Sequence, residues 1–172
     1  MAFDTYMQIA DGTTVVGEAT ASGIPTGAFE IFSFSWGASN PTTVSTTGGG
    51  LTAGKVSVSS FNVMKKTEKS SCPLFVACCT GQHYTSALVI MRKATGTSGQ
   101  QQIFLQYTFT DVMVESVQWS GSSGGDDTPT ESVSFSFGKV AIQYNGQDSA
   151  TGNLTSDAGS QGSWNITTAN IT

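Results

Sequence analysis

The chain has 172 residues, of which only 7 are lysine or arginine and 12 are aspartate or glutamate, and its formal net charge is −5. This length and the 47 serine and threonine residues favour one β-rich domain over residues 1–172 and disfavour coiled coils. Because basic residues are too few to neutralise a phosphate backbone, we expect no nucleic-acid partner.

The first residues contain no basic stretch followed by an apolar one, and no window approaches the ~18 apolar residues of a membrane anchor. We therefore expect a cytoplasmic chain with no membrane anchor and no cleaved signal peptide. The cysteines Cys72, Cys78 and Cys79 are odd in number and crowded into one segment. This pattern predicts free thiols rather than a disulfide framework.

Alternation of apolar and polar residues is the main pattern at the start of the chain. It predicts a strand over residues 3 to 10, a turn at Asp11-Gly12 and a short strand from Val15 to Glu18. Such blocks, separated by glycine, proline, asparagine and serine, are typical of antiparallel β proteins.

The segment FEIFSFSWG predicts a strand with two different faces. Phe32, Phe34 and Trp36 share one face, which we expect to be core. Ser33 and Ser35 share the opposite face, which is small and polar.

A long uncharged segment, NPTTVSTTGGGLTAG at 40–54, follows this strand. Loops of this length are usually functional or disordered, and a neutral, threonine-rich arm suits strand addition to a neighbouring subunit. We predict a long extended loop whose subunit contacts are made by Thr46, Thr47, Gly48, Gly49, Gly50 and Leu51.

Three later strands change the parity of their apolar residues. The changes fall within residues 55 to 64, after Asp111 within residues 102 to 118, and at Gly138-Lys139. A change of parity by one residue predicts a β-bulge, and bulges bend strands at barrel corners. The sequence therefore predicts a small, closed antiparallel β-barrel.

One segment, SSCPLFVACCTG at 70–81, lacks the β pattern. Ser70 or Ser71 can cap a helix, proline suits its first turn, and Gly81 can end it. Leu74, Phe75 and Cys78 would form its apolar stripe. We predict a single helix that flanks the barrel.

The sequence offers few groups for chemistry, and we predict no catalytic residues, metal or cofactor. His83 follows the predicted helix, where a cation interacts favourably with the last carbonyls. The cysteines lack the paired spacing of zinc sites. Asp126, Asp127 and Glu131 sit in or beside a Gly/Ser loop with no third element to orient them, which favours a solvated loop over a metal or acid/base cluster.

Lys65, Lys66 and Lys69 form the only basic run, with Glu68 among them. We expect a solvated strand end. Docking to an acidic patch on another subunit is the alternative.

Several segments, taken in their order and spacing, form a pattern that extends over nearly the whole chain. They are MAFDTYMQI, Gly17-Glu18, Glu30-Ile31, Ser35-Trp36-Gly37, Gly54-Lys55-Val56, Pro73-Leu74, Gly81-Gln82-His83-Tyr84, Arg92-Lys93-Ala94, TDVMVESV, Glu131, Phe137, Val140 and Gly162-Ser163-Trp164-Asn165. This pattern resembles the haemolysin co-regulated (Hcp) tube proteins of type VI secretion systems. The stretch between Ala19 and Phe29 departs from the family pattern, because it lacks the charged residues that family members often carry there.

The resemblance implies a structural protein, not an enzyme, that forms homo-hexameric rings stacked into a tube. A contractile, phage-tail-like machine would export this tube together with secreted effectors carried in the rings. The implied partners are other copies of the chain, effectors, a spike protein and a contractile sheath.

On pattern and resemblance together, Ser33 and Ser35 are predicted to line the ring lumen and to bind effectors, with the subunit interface as the alternative. A monomeric carbohydrate- or peptide-binding β-sandwich is the competing function, and a hydrolase is third. Trp36, Trp119 and Trp164 fall in or near strands rather than on a loop platform, which favours packing over ligand binding.

Overall fold

The computed structural model describes residues 3–10, 15–44, 50–95, 100–124 and 127–171, without the side chains of 156–159. One helix and twelve strands lie in these ranges. They are β1 (Asp4–Ile9), β2 (Phe29–Glu30), β3 (Ser33–Ser35), β4 (Ala38–Ser39), β5 (Thr42–Val44), β6 (Leu51–Ala53), β7 (Ser57–Val58), β8 (Phe61–Lys66), α1 (Ser71–Thr80), β9 (His83–Ala94), β10 (Gln101–Ser120), β11 (Thr130–Gln147) and β12 (Leu154–Asn165).

The main sheet has the order β2-β1-β9-β10-β11-β8-β3, with β12 paired to β11. The chain is mainly antiparallel β structure with one helix, as predicted. Its main sheet is an open, curled half-barrel. The prediction of a closed barrel is therefore wrong. Its two edge strands, β2 and β3, have only two and three residues, so the edges do not meet in a strand ladder.

A short segment, which we call the strap (residues 29–35), joins the two edges of this sheet. It contains both β2 and β3. Between them, the Ile31 N–H donates to the Thr5 carbonyl at 3.0 Å and the Phe32 N–H donates to the Met64 carbonyl at 2.8 Å. The predicted strand over FEIFSFSWG is thus divided between opposite edges.

This division changes the position of one predicted core residue. Phe34 stacks on Phe61 with ring centroids 5.8 Å apart, and Trp36 packs edge to face on Tyr107 at 5.3 Å. Phe32 is 52% exposed because it lies in the crossover between the two edge strands. Its assignment to the core is wrong.

At two of the three predicted bulges, the strands change the face that carries their apolar residues without a shift in register. We call this line of phase change, at Asp111 and Gly138, the crease. Asp111 and Gly138 are directly opposite each other, and β10 and β11 keep one register on both sides of them. A bulge would shift that register, so the predicted bulges at these positions are wrong. Register shifts occur elsewhere, between 103 and 105, between 114 and 116, and between 143 and 145.

The third predicted bulge, within residues 55 to 64, is also wrong. The parity changes there because one strand ends and another begins. β7 pairs with β4, whereas β8 pairs with β11 and β3.

One edge of β11 is shared by two strands, one on each side of the crease. β8 pairs with residues 130–135 and β12 pairs with parts of residues 139–147. The core fills the concave side of the sheet. Its largest fully buried apolar side chains are Tyr84, Phe29, Phe61, Phe109, Phe135, Met7, Ile9, Leu74 and Met91. A second, smaller cluster contains Tyr6, Ala28 and Ile90.

The predicted helix is confirmed as α1, which ends at Gly81 with φ +66°. Leu74 is buried, but Phe75 is 47% exposed, so the predicted apolar stripe is only partly correct. Ser70 occupies the N-cap position without a side-chain capping bond. Ser71 instead accepts a hydrogen bond from the Glu68 N–H at 2.9 Å.

The predicted strand from Val15 to Glu18 is a loop, and the Asp11-Gly12 turn lies outside the described residues. The loop folds back on itself through a bond from the Gly17 N–H to the Gly27 carbonyl at 2.8 Å. Arg92 holds it to the sheet, because its Nη1 donates to the Ser22 carbonyl at 2.6 Å. Hydrogen bonds to backbone carbonyls thus hold the stretch between Ala19 and Phe29, which lacks charged residues.

Candidate functional site

Ser33 and Ser35 are exposed on β3, and Phe34 between them faces the core. This is the geometry that the pleat of a strand requires. β3 pairs only with β8 in the described sheet, so the two serines stand at its edge.

Ser33 and Ser35 each begin a row of uncharged side chains that crosses four strands. In one row, Ser35 pairs with Asn62, which pairs with Ser134, which pairs with Ser116. We call the two rows together the serine face. The second row is Ser33, Met64, Ser132 and Gln118.

Asn62 is held in the serine face by a hydrogen bond to another member and by one to the neighbouring backbone. The Ser134 hydroxyl donates to Asn62 Oδ1, and Asn62 Nδ2 donates to the Ser60 carbonyl at 3.1 Å. Met64 is 45% exposed and is the only apolar residue among the eight of the two rows. The arrangement offers many hydrogen-bond donors and acceptors but no charge.

Six members of these rows are absent from the predicted site, and the sequence contains a signal for two of them. Ser132 and Ser134 alternate with the core residues Val133 and Phe135 in the stretch SVSF. The same alternation had singled out Ser33 and Ser35. Asn62 and Ser116 join them only through strand register, which a single sequence does not give.

The predicted loop at 40–54 is part of a hairpin arm, which we define as residues 38–58. β4 pairs with β7 at its root, and β5 pairs with β6 further out. Of the predicted contact residues, Thr46, Thr47, Gly48 and Gly49 lie outside the described residues. Gly50 has φ +68°, and Leu51 is 71% exposed.

Val44 is the cross-strand partner of Leu51 and is also 71% exposed. Directly paired residues of an antiparallel hairpin project from the same face. The arm therefore carries two large aliphatic side chains side by side near its tip.

The predicted solvated charges at 65 and 131 are a buried ion pair, so both predictions are wrong. Lys65 and Glu131 are each 0% exposed, and Lys65 Nζ lies 2.6 Å from Glu131 Oε1. They are opposed across β8 and β11, a register that the sequence does not reveal. Lys66 and Lys69 are exposed as expected.

Residues before and within α1 complete this network. The Ser71 hydroxyl donates to Glu131 Oε1 at 2.9 Å, and Lys65 Nζ also donates to the Lys66 carbonyl at 2.9 Å. Glu68 accepts the Glu18 N–H at 2.8 Å. The buried charges thus join the helix to the sheet, and the chain just before the helix is tied to the loop at 15–28.

The remaining candidates for chemistry do not converge in the described parts of the chain. His83 is exposed at the start of β9, and Cys72 and Cys79 are exposed on α1. Cys78 is half-buried against the core. Within the described ranges, no group of three or more His, Cys, Asp or Glu side chains could hold a metal, and Asp126 lies outside them.

Comparison with known proteins assigns the chain to a family. A family model described as "Type VI secretion system effector, Hcp" matches residues 6–144, which is most of the chain. The chain belongs to the Hcp family. The family comprises structural, secreted tube proteins of the type VI secretion system.

Individual relatives agree with this assignment. The chain is 39% identical over 93 residues to "Protein hcp1" of Pseudomonas aeruginosa, a match covering 54% of this chain and 56% of that protein, so it spans little more than half of the curated relative's length. A solved structure described as a type six secretion system protein superposes with a TM-score of 0.87 at 30% identity, covering 99% of this chain and 100% of the other.

Hcp1 from Salmonella typhimurium superposes with a TM-score of 0.77 at 28% identity, and both chains are covered completely. The open half-barrel is therefore an Hcp-like fold. No helix in the ranges that the structure describes has the length and apolar character to cross a bilayer.

Proposed function

We propose that this Hcp chain, as one domain over residues 1–172, forms homo-hexameric rings that stack into the inner tube of the secretion system. The tube leaves the cell and carries effectors in its lumen. The spike protein and the contractile sheath are its partners in the apparatus. The observation that carries this proposal is the serine face, together with membership of the family.

A ring of half-barrels must turn part of the outer surface of each sheet towards a central channel. The serine face suits that position because its side chains are uncharged, five of the eight are serine, and every strand contributes hydrogen-bonding groups. An uncharged wall avoids the cost of desolvating unpaired charges when cargo fills the channel. Ser33 and Ser35 are the effector-binding residues in this proposal.

The hairpin arm supports the assembly part of the proposal. Residues 46–51 are the proposed subunit contact, and the described part of the arm exposes Val44 and Leu51. Large apolar side chains with this exposure, within the uncharged segment 40–54, are typical of surfaces that become covered in an assembly.

Native mass spectrometry and light scattering at micromolar concentration test this function. We expect a hexamer, and stacked rings as the concentration rises. A monomer that persists at every concentration would contradict the tube proposal and favour a monomeric binding module.

A further inference from the structure

An apolar groove lies beside the root of the hairpin arm. Its volume is about 320 Å³, and none of the described residues that line it is charged. It is bounded by β11 and β12 on one side and by β4 and β7 on the other. The side chains that form its walls include Trp36, Ala38, Val58, Val140, Ile142 and Trp164.

The groove also contains a position that lacks a side chain. Gly162 of β12 is part of its lining, and a Cβ atom at this residue would meet no other atom within 4 Å. The groove is thus open at Gly162, with two tryptophans contributing to its walls. It has the shape and chemistry to accept aliphatic side chains.

The hairpin arm carries such side chains at the end that lies away from its root. Val44 and Leu51 form one apolar pair on one face of the arm. The neighbouring pair, Thr43 and Thr52, projects from the opposite face. One face of the arm is therefore apolar at this level and the other is polar.

The apolar pair cannot fill the groove of its own chain. Ala38 and Val58 pair at the root of the arm and also line the groove. From Ala38 to Val44 the arm extends roughly 20 Å away from the root at about 3.3 Å per residue. The occupant must come from another copy.

We propose that the Val44 and Leu51 pair of one subunit docks in the Trp36 and Trp164 groove of its neighbour in the ring. Both surfaces are apolar and uncharged, so the contact buries no unpaired charge. Because the arm and the groove are different surfaces, the contact is head to tail and closes into a ring when its rotation fits. This inference rests on the ring proposed above and names the contact that closes it.

Two substitutions with matched controls test the contact in the full chain. Leu51→Asp places a charge on the apolar face of the arm, and its control, Thr52→Asp, places the same charge on the other face. Gly162→Val fills the groove, and its control is Gly146→Val, at a glycine of β11 that also has nothing within 4 Å of an added Cβ and does not line the groove. Light scattering should show loss of the ring for Leu51→Asp and Gly162→Val only.

Mixing the two defective variants gives the sharpest result. Leu51→Asp retains a groove and Gly162→Val retains an arm, so one productive contact remains between them. We expect each variant alone to be a folded monomer by circular dichroism and the mixture to form a heterodimer that cannot grow into a ring.

Three outcomes would overturn the inference. They are intact rings for Leu51→Asp, equal loss of rings for Leu51→Asp and Thr52→Asp, and a mixture of folded variants that stays monomeric. If Gly162→Val fails to fold, the comparison of Leu51→Asp with Thr52→Asp still tests whether the apolar face of the arm makes the contact. Failure of the tube proposal is distinct, since the unsubstituted chain would then form no ring.

Discussion

Asp111 and Gly138 face each other across β10 and β11, at the position where both strands change the face that carries their apolar residues. Asp111 has φ +54°, in the left-handed region that most side chains avoid. Phe109 and Val112 are both buried, three residues apart, although a regular strand buries every second residue. The crease thus turns the sheet without adding a residue to either strand.

The crease continues into the next strand of the sheet. Tyr84 and Ala87 of β9 are also buried three residues apart, and they pair with Val112 and Phe109. Three adjacent strands therefore change phase along one line, which accounts for the curl of the half-barrel.

We expect Asp111→Val to lower the free energy of unfolding by about 1–3 kcal/mol, because a β-branched residue is strained at positive φ. Asp111→Gly is the control and should be nearly neutral, since glycine adopts this backbone freely. Urea unfolding followed by circular dichroism measures both. Equal stability of the two variants would show that the crease does not depend on backbone strain at this residue.

Gly138→Ala should be destabilising in the native chain and tolerated with Asp111→Gly. An added Cβ at Gly138 would lie 3.2 Å from Asp111 Cβ and 3.3 Å from its Oδ2, and both atoms are absent when residue 111 is glycine. A double-mutant cycle by urea unfolding should give a coupling free energy of about 0.5–1 kcal/mol. Additive effects would contradict a direct contact.

The buried ion pair gives a larger expected effect. Glu131→Leu leaves the buried Lys65 ammonium with only the Glu68 carboxylate, whose Oε1 lies 3.6 Å from Nζ, and should cost about 3 kcal/mol of folding free energy, the lower end of the cost of breaking a buried pair. Lys65→Met with Glu131→Leu removes both charges and should recover most of that loss. Lys66→Met, at the exposed neighbour, is the control and should change stability by less than about 0.5 kcal/mol. Urea unfolding of the four proteins checks the order.

Gly17 is required by close packing. A Cβ atom at this position would lie 2.4 Å from the Ala28 carbonyl oxygen, so Gly17→Ala forces the loop at 15–28 to move. We expect a loss of about 1–3 kcal/mol in thermal or urea unfolding. Gly37→Ala is the matched control, because an added Cβ there meets nothing within 4 Å. Similar stability of the two variants would contradict the packing argument.

The lumen assignment is tested at Ser35. Ser35→Gln keeps an uncharged polar surface but adds bulk, so it should preserve the ring and lower the amount of a co-expressed cognate effector that is retained with it. Ser57→Gln, at an exposed serine of the arm, is the control. If Ser35→Gln dissolves the ring while the subunit stays folded, Ser35 belongs to a subunit interface.

Local patterns in the sequence predict the features that depend on residues close together along the chain. The helix at Ser71–Thr80 and the opposite faces of Phe34 and Ser35 follow from capping residues and from alternation. The buried Lys65 and Glu131 pair could not be predicted, because it joins residues far apart through strand register. A lysine run and a loop-side glutamate look solvated until that register is known.

The parity changes illustrate a second limit. A crease, a bulge and the end of one strand before another all produce the same shift of apolar residues along a sequence. Only the partner strand distinguishes them, since a bulge shifts register and the pair at Asp111 and Gly138 does not. Such parity changes show that a sheet bends, but they do not show whether its edge strands pair, and in this sheet β2 and β3 are separate edges.

The strap gives the half-barrel an unusual mechanical property. Its few residues hold β1 at one edge of the sheet and β8 at the other. Because so few residues separate the two anchors, release of one edge strand frees the segment to leave its other partner strand as well. Amide protons of β2 and β3 should exchange with solvent in one opening event, although these strands lie at opposite ends of the ladder.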